Sequence, residues 1–116
     1  MRREEPVPVQ IYPPVRKIIR DWPVAARREL GATLLRLQRG ELIGMPDVRA
    51  MPSVAKGVSE IRISLAGDAY RAFYISVTEE GILVFHAFIK KTQQTPQKEI
   101  NTALKRLHTF FRNIKG

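Results

Sequence analysis

Four cations fall in a region of alternating apolar residues: Arg62, Arg71, Lys90 and Lys91, the last pair running into Thr92-Gln93-Gln94-Thr95. A guanidinium offers a phosphate two parallel N–H donors, and an ammonium crowded by other cations holds its proton less tightly. One reaction class suits that set. RNA can be cut by its own 2′-hydroxyl when a protein positions the phosphate in line, stabilises charge on the pentacovalent phosphorus and helps protons move at two oxygens. No metal and no protein nucleophile are required. The same cations would equally form a solvated or nucleic-acid-binding face without chemistry.

Other side chains have narrower prospects. His86 interrupts the apolar run Ile82–Ile89. It is read either as a proton-transfer group, since histidine titrates near neutrality, or as a buried ring donating to a backbone carbonyl. The alternation puts it on a face with Val84 and Phe88. Tyr70 and Tyr74 share a strand face, where a ring stacks on a base or packs across the strand. His108, beside Leu107, is assigned no role. There is no cysteine and there are two histidines. Disulfides, thiolate metal sites and a cysteine nucleophile are therefore excluded, and neither a metal nor another cofactor is expected.

Twenty Lys and Arg against eleven Asp and Glu give a net charge of +9, which points to a polyanionic partner. Apolar residues make up 44% of the chain, too many for a disordered basic tail. No run approaches the roughly 18 apolar residues of a membrane span, and Met1–Pro6 has no apolar leader core. The expected setting is cytoplasmic, away from membranes.

The cations must be positioned by the surrounding elements. Val7, Val9 and Ile11 alternate as a short strand, which Pro8, lacking a donor, makes either an edge strand or a poorly formed one. Val15, Ile18, Ile19 and Trp22 mark one helix face, and Asp21-Trp22-Pro23 stops it. Ala26, Leu30, Thr33, Leu34 and Leu37 mark a second helix, ended at Gly40. Gly31 within it is read as allowing a close contact. Residues 44–57 read as a crossing loop. Strands follow over Glu60–Leu65, from Arg71 through Phe73 to Val77, and over Ile82–Ile89 with Lys90 and Lys91 at its end, joined by turns at Ala66–Ala69 and Thr78–Gly81. Thr95 and Pro96 open a last helix whose apolar face runs from Ile100 through Phe110 and Phe111 to Ile114, with Lys105, Arg106, Arg112 and Lys115 assigned to its solvent side or C-terminal end. The order β-α-α-β-β-β-α is an α+β fold with a small, mostly antiparallel sheet, one domain over 1–116 with 1–6 frayed. In such a meander the end of the first strand, the start of the second and the end of the third share one rim. That places Arg62, Arg71, Lys90 and Lys91 together.

Longer segments add a resemblance. Gly57-Val58-Ser59-Glu60-Ile61-Arg62, Tyr70-Arg71-Ala72-Phe73-Tyr74 and His86-Ala87-Phe88-Ile89-Lys90-Lys91-Thr92-Gln93-Gln94-Thr95-Pro96, with Glu99-Ile100, Ala103 and Arg106, resemble the HigB-type branch of the RelE/ParE toxin superfamily and its phage-derived relatives. The likeness spans about residues 10–112, and Lys-Lys-Thr-Gln-x-Thr-Pro is its specific part. It implies the toxin of a type II toxin–antitoxin module: a ribosome-dependent mRNA endoribonuclease that blocks translation, neutralised by a helix-turn-helix antitoxin. The family's basic active-site positions then fall on Arg62, Arg71 and Lys91, with Lys90 adjacent. Thr92, Gln93 and Tyr70 would contact RNA. Glu60 stands where RelE carries a lysine, which leaves the proton acceptor unassigned. The alternatives are a ParE-like toxin that inhibits gyrase without cutting RNA, and a non-catalytic basic RNA-binding module.

Overall fold

The structure, a computed structural model, describes residues 5–77 and 81–115. Its elements run β1 (Val9–Ile11), α1 (Pro13–Arg20), α2 (Val24–Gln38), β2 (Val48–Ala50), β3 (Val58–Leu65), β4 (Asp68–Val77), β5 (Gly81–Lys90) and α3 (Gln97–Lys115). Five strands form one sheet in the order β1-β5-β4-β3-β2. β1 lies parallel to β5, and every other pair is antiparallel.

Local chemistry sets the boundaries. Pro13 and Pro14 occupy the first turn of α1, where a missing N–H costs nothing. α2 ends in a Schellman motif: Gly40 takes φ +86, its N–H bonds Leu37 O at 3.0 Å, and Glu41 N–H bonds Arg36 O at 3.1 Å. β3 and β4 join through Ala66 and Gly67, both at positive φ, as a two-residue hairpin requires. β1 is an edge strand, as Pro8 demands, and the Pro8 carbonyl still accepts from Ile82 N–H at 2.9 Å. That contact explains Gly81. A Cβ there would lie 2.0 Å from Pro8 O, and φ is +91.

Two cores flank the sheet. α1 and α2 bury Val15, Ile19, Trp22, Ala26, Leu30 and Leu34 on Ile61, Ile63, Ala72, Tyr74 and Val84. α3 lays Ala103 and Leu107, with half-buried Ile100, Phe110 and Phe111, over Val58, Phe73, Leu83, Phe85 and Phe88. Met51 and Val54 complete this second core. Among the described residues, no helix is long and apolar enough to cross a membrane.

The α+β expectation and the element order hold, with four local differences. The 44–57 stretch is not all loop, because Val48–Ala50 pairs with Ser59–Ile61 as β2. Three residues are too few to show alternation. Gly31 faces solvent, with nothing within 4 Å of a Cβ built on it, so it serves no close contact. α3 begins at Gln97, and Pro96 supplies the carbonyl that Glu99 and Ile100 N–H bond. A bulge also breaks the β4–β5 register: Phe73 pairs with His86 and Tyr74 with Val84, leaving Phe85 as the extra residue. Residues 1–4 of the frayed start and Thr78–Glu80 of the second turn lie outside the described residues.

Candidate functional site

Arg62 and Arg71 are directly opposed across the β3–β4 ladder, and Arg71 in turn pairs with Phe88 of β5. Lys90, two residues on, opposes Ala69. Alternation along each strand sends Arg62, Arg71 and Lys90 to the face that carries α3, at the rim where β3 ends and β4 begins. Arg49 of β2, opposite Glu60, joins the same face.

Two like charges directly opposed in a ladder repel. Here a carboxylate lies between them. Glu60 is 1% exposed, and its Oε1 sits 3.7 Å from both Arg62 Nε and Arg71 Nε. That is too long for a hydrogen bond and close enough for strong Coulomb attraction in a buried setting. Glu60 Oε2, Arg62 Nε and Arg71 Nε have no hydrogen-bond partner. The guanidinium groups are therefore held electrostatically but not saturated. Arg71 is further fixed by Nη1–H donated to Tyr70 O at 3.0 Å, and Arg62 Nη1 lies 3.2 Å from Met45 Sδ.

Burial pushes the Arg71 pKa down, Glu60 counters it, and Arg62 and Arg49 push it further down. Lys90 is lowered by the same causes: burial first, then Arg71, Arg62 and Arg49 against the opposing pull of Glu60. The Lys90 ammonium is thus a readier proton donor than an ordinary lysine. Beside Arg62 and Arg71 opens a cleft of about 360 Å³, walled also by Ser64, Pro46, Asp47 and Glu29. It lies just before β2 begins, where Asp47 O accepts from Arg62 N–H at 2.8 Å.

The other site residues lie elsewhere. Lys91, Thr92 and Gln93 are exposed on the segment beyond β5, with Thr92 Oγ1–H donated to Gln94 O at 2.6 Å. Tyr70 is 3% exposed, with its ring 5.1 Å from Trp22 under α1 and α2. It packs in the core on the opposite face from the arginines, so it offers no surface for a base.

His86 is apart from the cations as well. The bulge turns it away from Val84 and onto the α3 face beside Phe73 and Phe88. Its partners are side chains of α3 and not a backbone carbonyl. Arg106 Nη1–H points to Nδ1 at 2.7 Å, and Nε2 lies 2.8 Å from Glu99 Oε1. A guanidinium only donates, so Nδ1 accepts and Nε2 carries the proton given to Glu99. Burial, seconded by Arg106, lowers the His86 pKa against the pull of Glu99 and favours the neutral ring. Arg106, expected to face solvent, is instead half-buried in this contact.

Sequence reasoning missed Glu60 and Arg49. Glu60 has the same phase as Arg62, so it shares a face with it, but nothing in the alternation signals burial. Arg49 lay hidden in an apparent loop. Among the described residues, no group of three His, Asp or Glu side chains is placed to hold a metal ion.

Known proteins place the chain further. The fold is similar to that of the E. coli toxin RelE, solved in its free state as a double-arginine variant, with a TM-score of 0.52 and 19% identity over 88% of this chain and 97% of that one. No curated protein matches the sequence. Residues 17–108 match the family model described as Phage derived protein Gp49-like (DUF891). Most of the sheet, Arg62, Arg71 and Lys90 among it, falls inside that match, and the chain belongs to this Gp49-like family.

Proposed function

We propose that this protein is the toxin of a type II toxin–antitoxin module, an endoribonuclease that cuts mRNA on the ribosome. The observation that carries the reading is the convergence of Arg62, Arg71 and Lys90 on one sheet rim over a buried Glu60. The Gp49-like family and the RelE-like fold support it. The partners are mRNA, the ribosome and a cognate antitoxin, taken to be a helix-turn-helix protein.

In this reading the guanidinium groups of Arg62 and Arg71 cradle the scissile phosphate, and Glu60 holds them facing each other before RNA arrives. The substrate's 2′-hydroxyl gives up its proton to solvent water and attacks its own phosphorus as the bond to the 5′-oxygen breaks. Lys90, with its lowered pKa, gives a proton to that leaving oxygen. Lys91, Thr92 and Gln93 follow the RNA backbone from the exposed segment. His86 supports the rim from beneath α3, since both ring nitrogens are already engaged. No step requires a metal or cofactor.

Expression without antitoxin should arrest growth, and the cut transcripts should carry 2′,3′-cyclic phosphate and 5′-hydroxyl ends. Arrest with intact transcripts would replace this reading with non-nucleolytic inhibition of another target such as gyrase. Products with 5′-phosphate ends would overturn the mechanism.

A further inference from the structure

The attacking 2′-hydroxyl hands its proton to a base on the way to bulk water. Glu60 and His86 cannot take it. Glu60 is 1% exposed beneath the two arginines, and His86 has both ring nitrogens engaged at α3. Two other carboxylates reach the cleft from its outer wall. Asp47 and Glu29 line it together with Arg62, Ser64 and Arg71.

Of the two, Asp47 is tied to the arginines. Gly44 O accepts N–H bonds from Asp47 at 3.1 Å and Val48 at 3.0 Å, which closes a turn ahead of β2. Asp47 O accepts Arg62 N–H at 2.8 Å, so the main chain of the carboxylate is fixed to the main chain of the arginine. Glu29 comes from α2 and has no hydrogen bond to β3 among the described residues. The Asp47 side chain is exposed and in no ion pair among the described residues, so a substrate hydroxyl can meet it. The charges around it are Arg62 and Arg71 in the cleft and Glu29 and Arg36 on α2.

Strand order gives a second, independent argument. Across the sheet, Lys90 lies on β5, Arg71 on β4, Arg62 on β3 and Asp47 just outside β3. Three strand spacings, roughly 14 Å across the strands, separate the main chains at the two ends. A lysine reaching in from one end and an aspartate from the other leave room for a phosphate on the guanidinium groups between them. In-line displacement needs that order. The group that takes a proton from the entering oxygen and the group that gives one to the leaving oxygen stand on opposite sides of phosphorus. We propose that Asp47 is the general base of the cleavage. Its carboxylate accepts the 2′-hydroxyl proton as that oxygen bonds phosphorus. The bond to the 5′-oxygen breaks, Lys90 protonates that oxygen, and afterwards Asp47 gives its proton to water and Lys90 regains one from it. This rests on the endoribonuclease reading and names the group through which the proton passes to water.

The test is single-turnover cleavage of mRNA on programmed ribosomes by the full chain, between about pH 6 and 8. Asp47→Asn keeps both main-chain contacts and should slow cleavage about 10²-fold or more, with thermal unfolding unchanged. A carboxylate base is ready throughout that range, so the wild-type rate should stay level. With hydroxide left as the base, the variant should gain about tenfold per pH unit. Asp47→Glu should restore a level profile and part of the rate. A 5′-phosphorothiolate at the scissile bond, whose sulfur leaves without a proton, should rescue Lys90→Ala and not Asp47→Asn. A wild-type rate in Asp47→Asn, a level profile in that variant, its rescue by the sulfur substrate, or a larger loss in Glu29→Gln would each overturn Asp47 as the base. Cutting by wild type would in each case leave the endoribonuclease reading standing, whereas no cutting by wild type would overturn both.

Discussion

Arg62 and Arg71 face each other across the β3–β4 ladder, and each has its Nε 3.7 Å from the same oxygen of Glu60. The sheet thus holds two cations closer than they would stay alone, and one buried carboxylate makes this tolerable. A phosphate bearing down on the pair would supply more of the same compensation.

Glu60→Gln should therefore lower stability, because it leaves two partly buried guanidinium groups opposed without a counter-ion. Breaking a buried pair costs about 3–5 kcal/mol, an upper bound here since the contacts exceed hydrogen-bond length. Inorganic phosphate or a short RNA should restore more stability to the variant than to wild type. Thermal unfolding with and without phosphate measures both. Equal shifts in the two proteins would show that the carboxylate does not balance the pair.

Arg62→Ala removes the more exposed fork and should reduce RNA cleavage by about 10²–10³, the value of one transition-state donor, with little loss of fold. Arg71 differs. At 5% exposure its removal empties a buried position and leaves Glu60 with Arg62 as its one remaining close counter-ion, so Arg71→Ala should lose activity and stability together. Arg71→Lys keeps a charge and loses the planar fork, and should recover stability more than cleavage. Single-turnover cleavage beside urea unfolding separates these effects. Full cleavage by Arg62→Ala would remove it from the site.

The His86–Glu99–Arg106 contact predicts a pH dependence of stability. The folded pKa of His86 lies below its ordinary value, so the unfolded chain takes up the proton first. Stability from this group is complete above about pH 6.5 and declines as pH falls from there through the folded pKa. His86→Gln should flatten that part of the profile and cost about 1–3 kcal/mol at pH 8, by loosening the contacts of half-buried Glu99 and Arg106. Chemical unfolding from pH 5 to 8 provides the check. An unchanged slope in the variant would assign the dependence to another group.

Gly81→Ala should be among the most damaging small substitutions, since the new methyl meets backbone at Pro8 and a positive φ is strained for alanine. Strain of about 1–3 kcal/mol is expected from the dihedral alone. Loss of exchange protection at Ile82, whose N–H bonds Pro8 O, would show β1 released. Protection equal to wild type would mean that the strand end shifts without cost.

The sequence carries the meander because alternation at Ile61, Ile63 and Leu65 has a single phase and Ala66-Gly67 marks its turn. It carries both helix faces for the same reason. It also brings Arg62, Arg71 and Lys90 to one rim, since that follows from strand order alone. Alternation cannot foresee its own interruption. The extra residue Phe85 reverses the phase at His86, so a ring assigned to the Val84 face meets α3 instead. Nor does a periodic pattern distinguish a solvated Glu from Glu60, whose burial depends on Arg62 and Arg71 covering it. Phe110 and Phe111 do anchor α3, but both are half-buried, stacked edge to face at 5.5 Å, so truncating either should cost less than the roughly 3–5 kcal/mol of a fully buried ring such as Phe85.

The parallel pairing of Val9 with Ile82 has a consequence for synthesis. β1 waits for a partner made about seventy residues later. Until β5 leaves the ribosome, β1 has no ladder, β4 has one neighbour, and Lys90 does not yet face the arginines. The contacts are distant along the chain and close slowly. The cation rim is therefore completed only once β5 has emerged, and a truncated nascent chain would carry Arg62 and Arg71 without the strand that completes their site.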